Sequence, residues 1–160
     1  MYPTKNDIHE KNRVPLVDLL NARLADAIDL QTQCKQAHWN VKGPDFIGLH
    51  ELFDKLNEDV EAYVDDIAER AVQLGGMAEG TARSVAKRTT LAEYQAKTGA
   101  GRDHVEALSS ALASFGKSVR QSIAKSDELA DADTTDLFTE VSRGVDKWLW
   151  FVEAHLQADR

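Results

Sequence analysis

Two pairs of candidate metal ligands occur in the stretch between His38 and Leu74, each with a spacing of four residues. His50 and Asp54 form one pair, and Asp65 and Glu69 form the other. On an α-helix, a spacing of four places two side chains on one face, about one turn apart. Imidazole and carboxylate groups suit Fe(II), and also zinc or manganese. Each pair is therefore a candidate half of a metal site.

These four side chains are predicted to point away from the core of their own chain. At about 100° per residue they fall within one arc of roughly 100°. The large apolar residues of the same segment recur at steps of three, four and seven, which is typical of a core-facing stripe. Its members are Phe46, Leu49, Phe53, Leu56, Val60, Ile67 and Leu74. This stripe centres about 150° from the arc of candidate ligands.

The two pairs cannot share an ion within one chain, because a rise of about 1.5 Å per residue separates them by roughly 22 Å. If a second copy crossed antiparallel on a two-fold axis near residues 59 and 60, each half-site would face its complement. The axis would then generate two equivalent sites per dimer. A solvated acidic face remains the alternative, since Glu51, Glu58 and Glu61 share the arc.

Helical spacing predicts the elements that must position these groups. A first helix runs from Val14 to about Asn40, with Pro15 in its first turn. Gly43-Pro44 breaks the chain, and a second helix runs to Leu74, where Gly75-Gly76 ends it. So short a connection forces the two helices to pack antiparallel. A crossover over residues 76–101 with a short helix near 81–87 precedes a third and a fourth helix, marked by apolar residues from 105 to 123 and from 137 to 152.

The region of the candidate ligands resembles the Dps family, the mini-ferritins also named DNA-binding proteins from starved cells. The resemblance rests on KQAHWNVKGP at 35–44, on Phe46, His50-Glu51 and Phe53-Asp54, and on DDIAERAVQLGG at 65–76. It extends more loosely from Asn6 to about Glu153. It implies an all-α, ferritin-like four-helix bundle with a short extra helix in the crossover, assembled as a hollow shell of twelve subunits.

The resemblance also implies an activity. Members of the family oxidise Fe(II), preferably with hydrogen peroxide, and store ferric mineral inside the shell, which protects the cell from oxidative damage. Oxygen is the other oxidant, and zinc or manganese can occupy the same site. The implied centre lies at a two-fold interface and takes His38, His50 and Asp54 from one subunit and Asp65 and Glu69 from the facing one. Trp39, beside His38, either takes up electrons near this centre or packs.

A second acidic cluster lies between Lys125 and Arg143, where six acids occur without a base. A solvated loop with Asp133 as a helix cap would explain it. The resemblance instead implies acidic residues that line pores at three-fold axes, through which iron enters. The candidates are Asp127, Asp133 and Asp136, since symmetry would bring three copies of each together and attract cations.

Composition bounds the remaining possibilities. The 160 residues are 42% hydrophobic, which suits a single domain over 14–157 after a flexible tail over 1–13. A net charge of -8 opposes nonspecific affinity for DNA. The tail also lacks the lysine-rich extension that DNA-binding members of the family often carry. A DNA-compacting shell, with ferroxidation secondary and a place on the nucleoid, is therefore kept as the alternative function.

Redox and targeting signals are sparse. Cys34 is the single cysteine, which excludes an intrachain disulfide and a zinc-thiolate cluster. No apolar run is long enough to span a membrane, and the first residues lack the apolar segment of a signal peptide. We expect a cytoplasmic protein without a membrane partner.

Overall fold

The computed structural model describes residues 1–95 and 99–157, and these residues form five helices. They are α1 (Glu10–Asn40), α2 (Phe46–Gln73), α3 (Ala82–Arg88), α4 (Gly101–Glu128) and α5 (Ala132–Gln157). The all-α prediction is confirmed. Within the ranges described, no helix is long and apolar enough to cross a membrane.

The four long helices form two antiparallel hairpins, α1 with α2 and α4 with α5, and α1 also packs against α4 while α2 packs against α5. The crossover between the hairpins travels the length of α1. It starts at Gly75, whose carbonyl accepts the backbone N–H of Tyr2, and ends at Gly99, whose carbonyl accepts that of Lys42. The short helix α3 lies within it and packs against α1. This is the predicted bundle with an extra helix in its crossover.

The apolar stripe of α2 faces the core as predicted, with one exception. Buried along it are Leu49, Phe53, Leu56, Val60, Ile67 and Leu74. Phe46 is 40% exposed, so its assignment to the core was wrong. It occupies the first position of α2, at the end of the bundle, and packs instead on the ring of His50 at a centroid distance of 5.1 Å.

Helix α1 begins at Glu10, four residues before the predicted start at Val14. The reason is Arg13, which is buried against the end of α2. Its Nε donates to the carbonyl of Ile8 and its Nη1 donates to the carbonyl of Leu74, both at 2.9 Å. The predicted tail over 1–13 thus includes four residues of helix, and Pro15 lies in the second turn rather than the first.

Candidate metal centre

His38, in the last turn of α1, and His50, in the second turn of α2, face each other across the first hairpin. Their ring centroids are 3.7 Å apart with planes at 23°. Nδ1 of each ring lies 2.9 Å from the backbone carbonyl oxygen of the other residue. Because a carbonyl only accepts hydrogen bonds, each Nδ1 carries a proton. In its neutral form each ring then keeps an unprotonated Nε2, the atom that can bind a metal.

Asp54 completes this group from the next turn of α2. Its Oδ1 lies 3.7 Å from Nδ1 of His38 and 2.6 Å from Nζ of Lys35, and its side chain is 43% exposed. The hydrogen bond from the Lys35 ammonium lowers the pKa of Asp54, and the charges of Lys35, His38 and His50 add to this effect against partial desolvation. A carboxylate and two imidazoles therefore meet at the surface of the hairpin, with a lysine as the present counter-ion.

Asp65 and Glu69 lie on the same helix as His50 and Asp54, towards its other end, and both are exposed. The prediction that one helix carries all four residues is confirmed. Among residues 1–95 and 99–157, no three or more His, Cys, Asp or Glu side chains are grouped so as to hold a metal ion. The chain brings His38, His50 and Asp54 close to one another near the start of α2 and leaves Asp65 and Glu69 exposed towards its other end.

Comparison with known proteins decides the family. A sequence profile of the Ferritin family, described as a ferritin-like domain, matches residues 17–160. The DNA protection during starvation protein of Agrobacterium fabrum is 43% identical over 156 residues, which cover 98% of this chain and 96% of that protein. This chain belongs to the Dps family of ferritin-like proteins.

Solved Dps structures agree with this assignment. The tetragonal form of Mycobacterium smegmatis Dps is similar to the chain with a TM-score of 0.93 and 34% identity, over 98% of this chain and 95% of that one. The Dps protein of Vibrio cholerae O1 is described as a member of a broad superfamily of ferritin-like diiron-carboxylate proteins. It has a TM-score of 0.90 over 98% of both chains, but at 22% identity this likeness shows the fold alone.

Trp39 is the most exposed large hydrophobic residue near the histidine pair of this Dps subunit, with 68% of its surface accessible. It lines a groove of about 1180 Å³ between α1, α2 and the crossover, together with Lys35, Asn57 and Glu61. The buried Oδ1 of Asn57 has no hydrogen-bond partner in the part of the chain that the structure describes. Packing within its own subunit therefore does not explain why a tryptophan occupies position 39. Its electron-accepting role is still a prediction.

The three candidate pore residues of this Dps chain, Asp127, Asp133 and Asp136, are all exposed. Asp131, which the sequence did not single out, is buried. Its Oδ1 accepts hydrogen bonds from Nη2 of Arg70 at 2.7 Å and from the backbone N–H of Thr134 at 3.1 Å.

Asp131 therefore caps α5, and the expectation that Asp133 does so was wrong. Asp133 lies within the first turn, with Oδ2 3.7 Å from Nη1 of Arg70. Lys35 is the other residue that sequence reasoning missed. The sequence could have indicated Lys35, because it precedes His38 by three residues and therefore lies on the same face of α1.

Proposed function

We propose that this chain is the subunit of an iron-storing ferroxidase. It oxidises Fe(II), preferably with hydrogen peroxide, and keeps the ferric mineral inside a hollow, cytoplasmic shell of twelve subunits, which protects the cell from oxidative damage. The observation that carries this proposal is the reciprocal bonding of His38 and His50. Both Nδ1 atoms are committed to backbone carbonyls, which leaves both Nε2 atoms for a metal, and the carboxylate of Asp54 lies 3.7 Å from Nδ1 of His38.

The remaining ligands would come from a second subunit. Asp65 and Glu69 are exposed on the same face of α2, roughly 22 Å along the helix from His50 and Asp54. A second α2 crossing antiparallel about a two-fold axis near residues 59 and 60 would bring each partial set opposite its complement. Two identical centres per pair of subunits follow from the symmetry.

The chemistry follows from the ligand types. Carboxylate oxygens stabilise Fe(III) over Fe(II), while a site with few protein ligands leaves positions open for the oxidant. Each Fe(II) gives up one electron and hydrogen peroxide takes two as it is reduced to water. Consuming both reactants together prevents the formation of hydroxyl radicals. Trp39 would take up electrons from beside His38, whereas zinc would occupy the same ligands without changing oxidation state.

Iron would enter through pores lined by Asp127, Asp133 and Asp136 at the three-fold axes. Their exposure supports this role, because a carboxylate that faces solvent can attract an incoming cation; Asp133 does so although its Oδ2 also lies 3.7 Å from Nη1 of Arg70. Asp131 would not contribute, since it is committed to Arg70 inside the subunit.

Mixed shells test the shared centre directly. One variant carries His38→Ala with His50→Ala, and the other carries Asp65→Ala with Glu69→Ala. Each shell alone, loaded anaerobically with Fe(II) and then given peroxide, is expected to lose fast oxidation. When equal amounts of the two variants are unfolded and reassembled together, half of the two-fold pairs contain one of each, and such a pair keeps one intact centre. About a quarter of the parent activity should therefore return.

The matched control is Asp66→Ala, which removes an exposed acid of α2 that lies off the ligand arc. It should oxidise iron at the parent rate and reassemble equally well. If mixing restores no activity while both variants form intact shells, the ligands do not come from two chains. Fast oxidation by the Asp65→Ala, Glu69→Ala shell would remove these acids from the centre altogether.

The alternative function, a DNA-compacting shell in which ferroxidation is secondary, draws support from relatives named DNA protection during starvation protein. The charges of this chain oppose it. The net charge is -8, and Arg13 is buried in contacts with its own subunit, which leaves Lys5 and Lys11 as the exposed bases of the first thirteen residues. We therefore place ferroxidation first.

A further inference from the structure

The turn between His38 and His50 has to hold two rings in reciprocal hydrogen bonds, yet it is weakly built. Residues 42–48 are exposed, and Gly43 has a φ of +114°. Within the described chain, Asp45 at the N-cap of α2 makes no side-chain capping bond. The support that fixes the end of α1 against the start of α2 must therefore come from elsewhere in the fold.

That support is the segment 99–101, which we call the α4 clamp because it leads into α4. The backbone N–H of Lys42 donates to the carbonyl of Gly99 at 2.7 Å. Lys42 and Ala100 also pair as an isolated parallel β-bridge. The clamp thus lies directly against the turn that connects the two histidine-bearing helices.

The approach is close enough that a β-carbon would collide with its neighbours. A β-carbon at Gly101 would lie 2.5 Å from Cδ1 of Leu49 and 3.9 Å from Cγ2 of Val41. Leu49 is buried and immediately precedes His50, so it cannot swing into solvent. A β-carbon at Gly99 would lie 3.2 Å from the backbone oxygen of Asn40. Any side chain at 101 must therefore displace the buried Leu49 side chain in the first turn of α2.

His104, one turn further along α4, supports the end of α1 from the same side. It is buried, and its Nδ1 lies 2.6 Å from the hydroxyl of Tyr94 in the crossover. Burial lowers the pKa of His104, and the nearby charge of Asp103 and the backbone carbonyl of Asn40 partly oppose this effect. The ring thus lies near Asn40, although its Nε2 makes no hydrogen bond of normal geometry within the described residues.

We propose that the α4 clamp positions the two histidines, with Gly101 as a positioning residue of the centre. This inference rests on the proposed function. Displacing Leu49 would shift the start of α2 relative to α1 and break the paired bonds between each Nδ1 and the opposite carbonyl. The Nε2 atoms would then no longer be fixed for metal binding.

The test compares Gly101→Ala with Gly48→Ala in the full shell. Gly48 lies two residues before His50, and a β-carbon there would meet no atom of the described chain within 4 Å. Co(II) is titrated into each metal-free shell and followed by visible absorption. Gly101→Ala should weaken Co(II) binding about tenfold and change the absorption band, as loss of a ligand-orienting contact does. Gly48→Ala should stay within about twofold of the parent.

A second variant separates positioning from simple loss of stability. Leu49→Val removes the δ-carbon that would clash, so Gly101→Ala combined with Leu49→Val should bind Co(II) about as well as Leu49→Val alone. If Gly101→Ala lowers the melting temperature but leaves the Co(II) affinity and the absorption band unchanged, the clamp has only a structural role and the proposal is overturned.

Metal-free crystal structures of the parent and of Gly101→Ala keep this proposal distinct from the proposed function. We expect the two bonds between Nδ1 and carbonyl to be intact in the parent and broken in the variant. If both bonds are retained in Gly101→Ala, the α4 clamp does not position the two histidines, and this conclusion holds whether or not the shell oxidises Fe(II). A parent shell that fails to oxidise Fe(II), with the bonds behaving as expected, would instead remove the proposed function alone.

Discussion

At the scale of single residues, the candidate centre depends on how each polar atom is already used. The two imidazoles bond to each other's backbone through Nδ1, which fixes their orientation before any metal arrives. Asp54 is held by Lys35, whose ammonium lies 2.6 Å from Oδ1. The ammonium of Lys35 therefore occupies the position beside Asp54 that a bound cation would take, and it already neutralises the charge of that carboxylate. The carboxylate stays ionised, but it must exchange one positive partner for another.

Replacing Lys35 with Met should strengthen metal binding. A partly exposed ion pair contributes up to about 1 kcal/mol, so release of Asp54 should tighten Zn(II) binding by roughly two- to fivefold. Calorimetric titration of the metal-free shell measures this change. Lys55→Met, which removes an exposed lysine one residue beyond Asp54, serves as the control and should have a smaller effect. Weaker binding in Lys35→Met would mean that the lysine helps to build the site.

At the scale of helices, the corner between α4 and α5 shows how the end of α2 is fixed. Arg70 follows Glu69 in sequence, is buried, and pairs with Asp131 from the loop before α5. Its Nε also donates to Oγ1 of Thr134 at 3.0 Å. Since Asp131 caps α5 as well, one carboxylate ties α2 to α5 near the predicted iron-entry pore.

Removing that carboxylate should destabilise the subunit strongly. Asp131→Ala removes the close, buried carboxylate partner of Arg70 and uncaps α5, at an expected cost of about 3–5 kcal/mol in the free energy of unfolding. Guanidinium denaturation followed by circular dichroism measures it. Asp133→Ala, two residues away and exposed, should change the same quantity by less than about 0.5 kcal/mol. Equal effects of the two variants would show that burial of the ion pair does not matter.

At the scale of the whole molecule, charge decides which partners the exterior can bind. A subunit with a net charge of -8 repels a polyanion, and the proposed shell would repeat that charge in every subunit. The first residues add little to oppose it, because the backbone of Tyr2 is bonded to Gly75 and Arg13 is buried. Cations are favoured instead, which is consistent with the proposed uptake of iron.

Duplex DNA should therefore not be retarded by the parent shell at about 0.15 M salt. Binding through phosphates rises with each exposed base, so Asp7→Lys with Glu10→Lys, both at exposed positions, should produce retardation at low salt that is lost as salt is raised. A gel-shift series over salt concentration measures both. Strong retardation by the parent, abolished by deleting residues 1–8, would favour the DNA-compacting alternative.

Local sequence determined the helices and the direction of the candidate ligands. Helical periodicity depends only on residues three and four apart, so it placed His50, Asp54, Asp65 and Glu69 on one outward face and most of the apolar stripe in the core. It wrongly assigned Phe46 to the core-facing stripe, because periodicity does not show where a helix extends beyond the helices that pack against it.

Only the tertiary structure decided how those residues are held. Arg70 meets Asp131 across 61 positions, and Arg13 meets Leu74 across the same separation. Each of these contacts joins segments that fold together only when the bundle forms, and contacts of that kind leave no periodic trace in the sequence. The same holds for the pairing of Lys42 with Gly99, which sets the two histidines in place from the far end of the crossover.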